Sequence, residues 1–137
     1  MNLSAKAGVF REVARVLKQG AVFGIFDVMR EADGDLDFPV PWAPAAEASF
    51  VETTGTYVEL LKAAGFQIEK QRSRRDFALV FFTRIREGMM AATTSGSPPP
   101  FGLPILMGPS APIKIGNLMG MIERGILAPT EIISRKR

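Results

Sequence analysis

Leu17 to Arg30 reads "LKQGAVFGIFDVMR": the end of a helix, a turn at Gly20, and a strand that stays apolar almost without break until Asp27. A strand apolar on both faces expects cover above and below and pairing along both edges, as inside a parallel sheet. The rest of the chain is short of candidates for those neighbours, and that shortage governs the reading of the fold.

Upstream, Val9, Phe10, Val13, Val16 and Leu17 recur at helical spacing, with Ser4 as the expected N-cap. The strand itself is expected over Ala21 to Met29, with Asp27 to Arg30 at its polar carboxyl end. Glu31 to Ser49 interleaves acids with Pro39, Pro41 and Pro44 around Phe38 and Trp42. Proline at that density opposes helix and central strand, so a long loop is expected.

"TTGTYVELLKAAGF" then restores helical spacing through Tyr57, Leu60, Leu61 and Ala64, with Thr53 or Thr54 as N-cap and Gly65 closing the helix. "FQIEKQRS", Phe66 to Ser73, predicts a half-exposed outer strand. From Asp76 to about Ala92, the residues Phe77, Val80, Phe81, Ile85 and Met89 form an apolar stripe, expected to pack on the sheet or close over a pocket. "TTSGSPPPFGLPILMGPSAP" reads as a loop within the domain. A helix through Ile113, Leu118, Met121 and Ile122 ends at Gly125, and "LAPTEIISRKR" supplies a last strand. The methionines at 89, 90, 107, 119 and 121 are expected to pack. The fold class is α/β with a thin sheet of three strands, and residues 1–137 form a single domain.

Composition narrows the chemistry. The chain has 137 residues, 47% hydrophobic and 23% charged, the profile of a folded globular protein. No apolar run approaches the roughly 18 residues of a membrane span and no signal peptide opens the chain, so a cytoplasmic protein without membrane partners is expected. Cysteine and histidine are both absent, which removes thiolate metal sites and the commonest base and metal ligand; no metal is expected. The net charge of +3 draws on "RSRR" at Arg72 to Arg75 and the tail "SRKR". Both runs are small and lack interleaved aromatics, which reads as solvated surface and not as a nucleic-acid face.

"VARVLKQGAVFGIFDVMR", then "DFPVPWA", "YVELLKAAGF" and "ILAPTEIISRKR", together resemble the C-terminal half of a class I S-adenosylmethionine-dependent methyltransferase. Relatives commonly carry "LKPGG" before an apolar fifth strand; here Gln19 and Ala21 replace the proline and the second glycine. A helix ending in "AGF" commonly precedes their sixth strand. The resemblance implies a partial Rossmann-like sheet of the fifth, sixth and antiparallel seventh strands with flanking helices. In the complete fold the fifth strand lies between the fourth and the seventh.

The N-terminal, Gly-rich cofactor half has no counterpart in the sequence: no G-x-G-x-G occurs, nor the acidic residue that holds the cofactor ribose. Met1 and Asn2 fall where relatives carry an internal "MN", so Met1 reads as an interior methionine; a split gene or a proteolytic or designed fragment are the alternatives. S-adenosylmethionine is the cofactor of the complete family fold, with no binding expected from this chain alone.

Ligands in open α/β sheets bind beyond the carboxyl ends of the strands, which makes Asp27, Met29 and Arg30 candidates for substrate contact. Asp27 equally suits a loop-start or cap carboxylate, and Arg30 a surface ion pair. Phe38 and Trp42 suit a cover over the acceptor or aromatic anchors for the loop. Asp27 and Trp42 are expected to share one concavity. No catalytic residue is singled out, and methyl transfer, an in-line displacement, rests largely on positioning.

The leading functional reading is the substrate-side half of a methyltransferase for a small molecule, inactive by itself. An association module pairing through the apolar strand, and a small-ligand binder using a pocket beneath the Pro-rich loop, stand beside it. The expected partner is a second copy, as a homodimer, or the missing N-terminal half.

Overall fold

The structure, a computed structural model, describes residues 1–95 and 107–137. In chain order the elements are α1 (Lys6–Val16), β1 (Val22–Arg30), a short 3-10 turn (Ala46–Ala48), α2 (Thr54–Ala63), β2 (Phe66–Ser73), α3 (Arg75–Ser95), α4 (Ala111–Glu123) and β3 (Leu127–Lys136). The three strands form one sheet in the order β1-β3-β2, and β3 runs antiparallel to both neighbours. Residues 96–106, inside the second expected loop at 93–112, lie outside the described residues, as do the side chains of Met89 and Met90.

Local chemistry accounts for the element ends. Gly20, Gly65 and Gly125 adopt φ of 78°, 93° and 75° at the turns that follow α1, α2 and α4, a region that disfavours residues with a Cβ. Thr53 caps α2, its hydroxyl accepting from the Thr56 N–H at 3.1 Å. Thr53→Ala is expected to cost about 1 kcal/mol in chemical denaturation, whereas an unchanged midpoint would remove the cap from the account. The N-cap of α1 is Ala5 and not Ser4, and no side chain caps that helix.

β1 alternates between two apolar cores. Phe23, Ile25 and Met29 pack with Phe10, Tyr57, Leu61, Phe66 and Ile132 beneath α1 and α2. Val28 joins the opposite core of Val40, Ala43, Ala78, Leu118, Met121, Ile122, Ile126 and Leu127. Toward the start of β1 that second face is bare: Val22 is 51% and Phe26 66% exposed. The two-sided cover expected from the apolar run is therefore met only toward the carboxyl end of the strand, at Val28, and the α1–α2 side alone covers the rest.

The stripe on α3 also differs from expectation. Phe77, Val80, Phe81 and Ile85 point outward, between 42% and 58% exposed. It is Ala78, Leu79 and Phe82 that meet the core. Ala78, 5% exposed, sits in the core that includes Leu127 of β3, and the bulkier stripe lies on the outer side of the helix. On α4, Leu118, Met121 and Ile122 are buried as expected, while Ile113 is 59% exposed.

Candidate functional site

Asp27 is the one acidic side chain of β1, and two neighbouring elements converge on it. Tyr57, in the first turn of α2, donates its hydroxyl to Asp27 Oδ2 at 2.6 Å. The amino nitrogen of Met1 donates to the same oxygen at 2.6 Å, while Asp27 Oδ1 accepts from the Val28 N–H at 2.9 Å. Lys6, only 6% exposed in the first turn of α1, lies 5.7 Å from the Tyr57 ring centroid. Its Nζ donates to the carbonyls of Leu3, at 2.7 Å, and Phe50. The Phe50 N–H in turn donates to the Met1 carbonyl at 2.9 Å. These bonds tie Met1 to Leu3 and the segment before α2 against the end of β1.

Electrostatics shifts two members in opposite directions. Burial raises the Tyr57 phenol well above its ordinary range, reinforced by the hydrogen bond to Asp27 and by the charges of Asp27 and Glu52. Burial lowers Lys6, with Glu52 and Asp27 acting against that shift. Tyr57 is thus a neutral donor committed to Asp27, and Lys6 is committed to two carbonyls. No nucleophile and base are paired here, so the cluster can bind, orient and exclude water.

Beside it, an open cleft of about 310 Å³ runs along β1 from Phe23 to Asp27, walled by Met1, Leu3, Lys6, Val9, Phe10 and Tyr57. It lies under α1 and not beneath the Pro-rich loop. Among the described residues, no group of three or more acids could hold a metal ion, and no helix is long and apolar enough to cross a membrane.

The sequence candidates fall into two places. Asp27 and Met29 face the α1–α2 side, where Met29 is fully buried and its Sδ accepts from the Thr54 hydroxyl at 3.6 Å. Phe38 and Trp42 pack on the other core, with Trp42 Nε1 donating to Ser49 Oγ at 3.1 Å. Asp27 and Trp42 therefore share no concavity: consecutive strand residues point to opposite faces, and the loop folds onto the face of Val28. Arg30 braces the start of that loop, donating to the carbonyls of Gly34 at 2.8 Å and Ala32 at 3.4 Å. Lys6 escaped sequence reasoning, although its place one turn before Phe10 on the apolar face of α1 was a signal for burial.

The sheet order is informative beyond this chain. An antiparallel last strand inserted between two earlier ones, with helices on both faces, is the arrangement expected of a fifth, seventh and sixth strand. Structure comparison agrees. A protein from Galdieria sulphuraria assigned as a sarcosine dimethylglycine methyltransferase superposes with a TM-score of 0.69 at 22% identity, over 99% of this chain and 49% of that one. The (4+2)-cyclase SpnF superposes with a TM-score of 0.60 at 23% identity, over 98% of this chain and 45% of that one. The chain has the fold of S-adenosylmethionine-dependent methyltransferases. It spans about half the length of these methyltransferase-fold structures. No protein-family model matches the sequence, and no curated protein matches it at a significant level.

Among the described residues, no strand passes into a helix through a Gly-rich turn. In this fold class the cofactor needs a Gly-rich turn between a strand and a helix. β2 passes into α3 through Arg74 alone, and β1 runs into the Pro-rich loop. The loop's Gly34 has φ of 151°, but the space a Cβ would take lies 2.8 Å from Ile126 Cδ1, so the chain's own side chain fills it.

Proposed function

We propose that this chain is the substrate-side half of an S-adenosylmethionine-dependent methyltransferase acting on a small molecule, functional when joined to a half that holds the methyl donor. The observation that supports it most is the β1-β3-β2 order with the outer edge of β1 open from Val22 to Phe26, in a chain that matches about half of larger methyltransferase-fold proteins. The open edge is where a fourth strand belongs. Asp27 and Arg30, at the carboxyl end of β1, are the polar groups nearest that junction. In this reading Phe38 and Trp42 hold the loop in place, and Met29 is packing. The fold alone does not choose a reaction, since one of the two similar proteins carries the name of a cyclase and the other that of a methyltransferase.

Isothermal titration provides the test. The chain alone is expected to give no saturable heat with S-adenosylmethionine. Fused to the cofactor-binding half of a methyltransferase-fold protein, it is expected to bind. Saturable micromolar binding by the chain alone overturns the division of labour.

A further inference from the structure

The free edge of β1 has a definite length and symmetry. Glu31 N–H donates to Ile126 O and Lys136 N–H to Ala21 O, both at 2.9 Å, so odd-numbered residues turn their backbone groups toward β3. Even-numbered residues face outward. At the carboxyl end those outward groups are already engaged: the Arg30 N–H donates to Glu52 O at 3.0 Å, and the Val28 N–H is taken by Asp27 Oδ1. What stays open among the described residues is Val22, Gly24 and Phe26, three outward residues symmetric about Gly24.

Such an edge is complementary to itself. We propose that two copies of this chain pair antiparallel through β1, with Gly24 opposite Gly24 of the second copy and Val22 opposite the second copy's Phe26. Every outward residue then meets an outward residue, giving about six backbone hydrogen bonds. The same register places the two most exposed apolar side chains of the strand, Val22 at 51% and Phe26 at 66%, against each other on one face. Gly24 in the middle leaves room for the Phe26 rings to lean across the axis. On the other face the second strand closes the cleft floored by Phe23 and Ile25. The open stretch carries no lysine or proline, the residues that commonly blunt an edge. Asp27 ends the pairing by occupying the next outward N–H.

This pairing concerns the chain alone and stands apart from the methyltransferase reading; a parallel strand from a cofactor-binding half would compete for the same edge. Light scattering at micromolar concentration is expected to give twice the 14.9 kDa chain mass. Gly24→Pro deletes an outward N–H that β3 does not use, so it is expected to yield a monomer with unchanged circular dichroism. The cysteine-free background permits a check of register. Val22→Cys with Phe26→Cys is expected to cross-link two chains on oxidation, because paired residues have Cα atoms about 5.5 Å apart, within disulfide range. Phe26→Cys alone is expected not to cross-link. A monomeric parent chain, a dimer that survives Gly24→Pro, or equal cross-linking by Phe26→Cys alone each overturns the proposal.

Discussion

In an alkaline titration, Tyr57 is expected to stay protonated past the ordinary tyrosine value of about 10 and to ionise only when the fold is lost. It is the one tyrosine of the chain, so tyrosinate absorbance reads this site alone. Burial is the main cause, since a phenolate beneath α1 loses its water; the hydrogen bond to Asp27 and the charges of Asp27 and Glu52 add to it. The sign for stability follows from linkage. A group whose native value is raised contributes its full stabilisation below the unfolded value near 10, and loses it as the pH rises toward the native value. Lys6, whose native value is lowered, acts in the opposite sense, but its gain is complete once the pH passes the ordinary lysine value of 10.5. Above that point the loss at Tyr57 is uncompensated. Tyrosinate absorbance should therefore rise together with the loss of helical circular dichroism, and Asp27→Asn should move it to lower pH. Ionisation centred near 10 in an intact fold would place Tyr57 in solvent and dissolve the cluster.

The largest loss of stability is expected from Phe66→Ala. Phe66 opens β2 directly after the Gly65 turn, is 1% exposed, and packs its ring 5.6 Å from that of Phe23. It thus joins α2, β2 and β1 at one point. Truncating such a ring costs about 3–5 kcal/mol, because the surrounding backbone cannot collapse into the cavity. Against a total of roughly 5–15 kcal/mol for a domain, that is a large fraction. Phe81→Ala on the outer stripe of α3, where the ring is 48% exposed, should cost under about 1 kcal/mol. Urea titrations of the two variants decide the matter, and equal losses would mean that α3 packs through its stripe after all.

That contrast marks where sequence reading stops. Strand β2 falls at Phe66–Ser73, as the turn signal at Gly65 and the polar pattern indicated, and Thr53 caps α2 as its residue type indicated. These signals are local, carried by a few neighbouring side chains. The period of Phe77, Val80, Phe81 and Ile85 correctly marked a helix, but a helical period says only that a face is apolar, not which way it turns. Ala78 made the contact, and its small side chain left no periodic signal. The site was legible in part. Asp27 stood out as the acid of an apolar strand, whereas its partners Tyr57 and Lys6 come from two helices whose crossing is a tertiary fact. Asp27 and Trp42 both lie near the end of β1, yet Asp27 faces α2 while Trp42 packs with Val28 on the opposite side of the sheet.

The central place of β3 bears on how the molecule is made. Val22 pairs with Arg135 and Phe66 with Lys136, so among the described strands neither outer one meets its sheet neighbour until β3, the last of them in sequence order, is available. Helices α1 and α2 can form as the chain leaves the ribosome, but the sheet cannot, and pairings this distant in sequence close slowly. Until then "AVFGIFDV" lacks the partner that β3 supplies along one edge, and unpaired apolar strands are what nascent chains offer to chaperones or to each other. Truncation before Leu127 is therefore expected to leave both outer strands without this partner and to lower soluble yield beside the full chain.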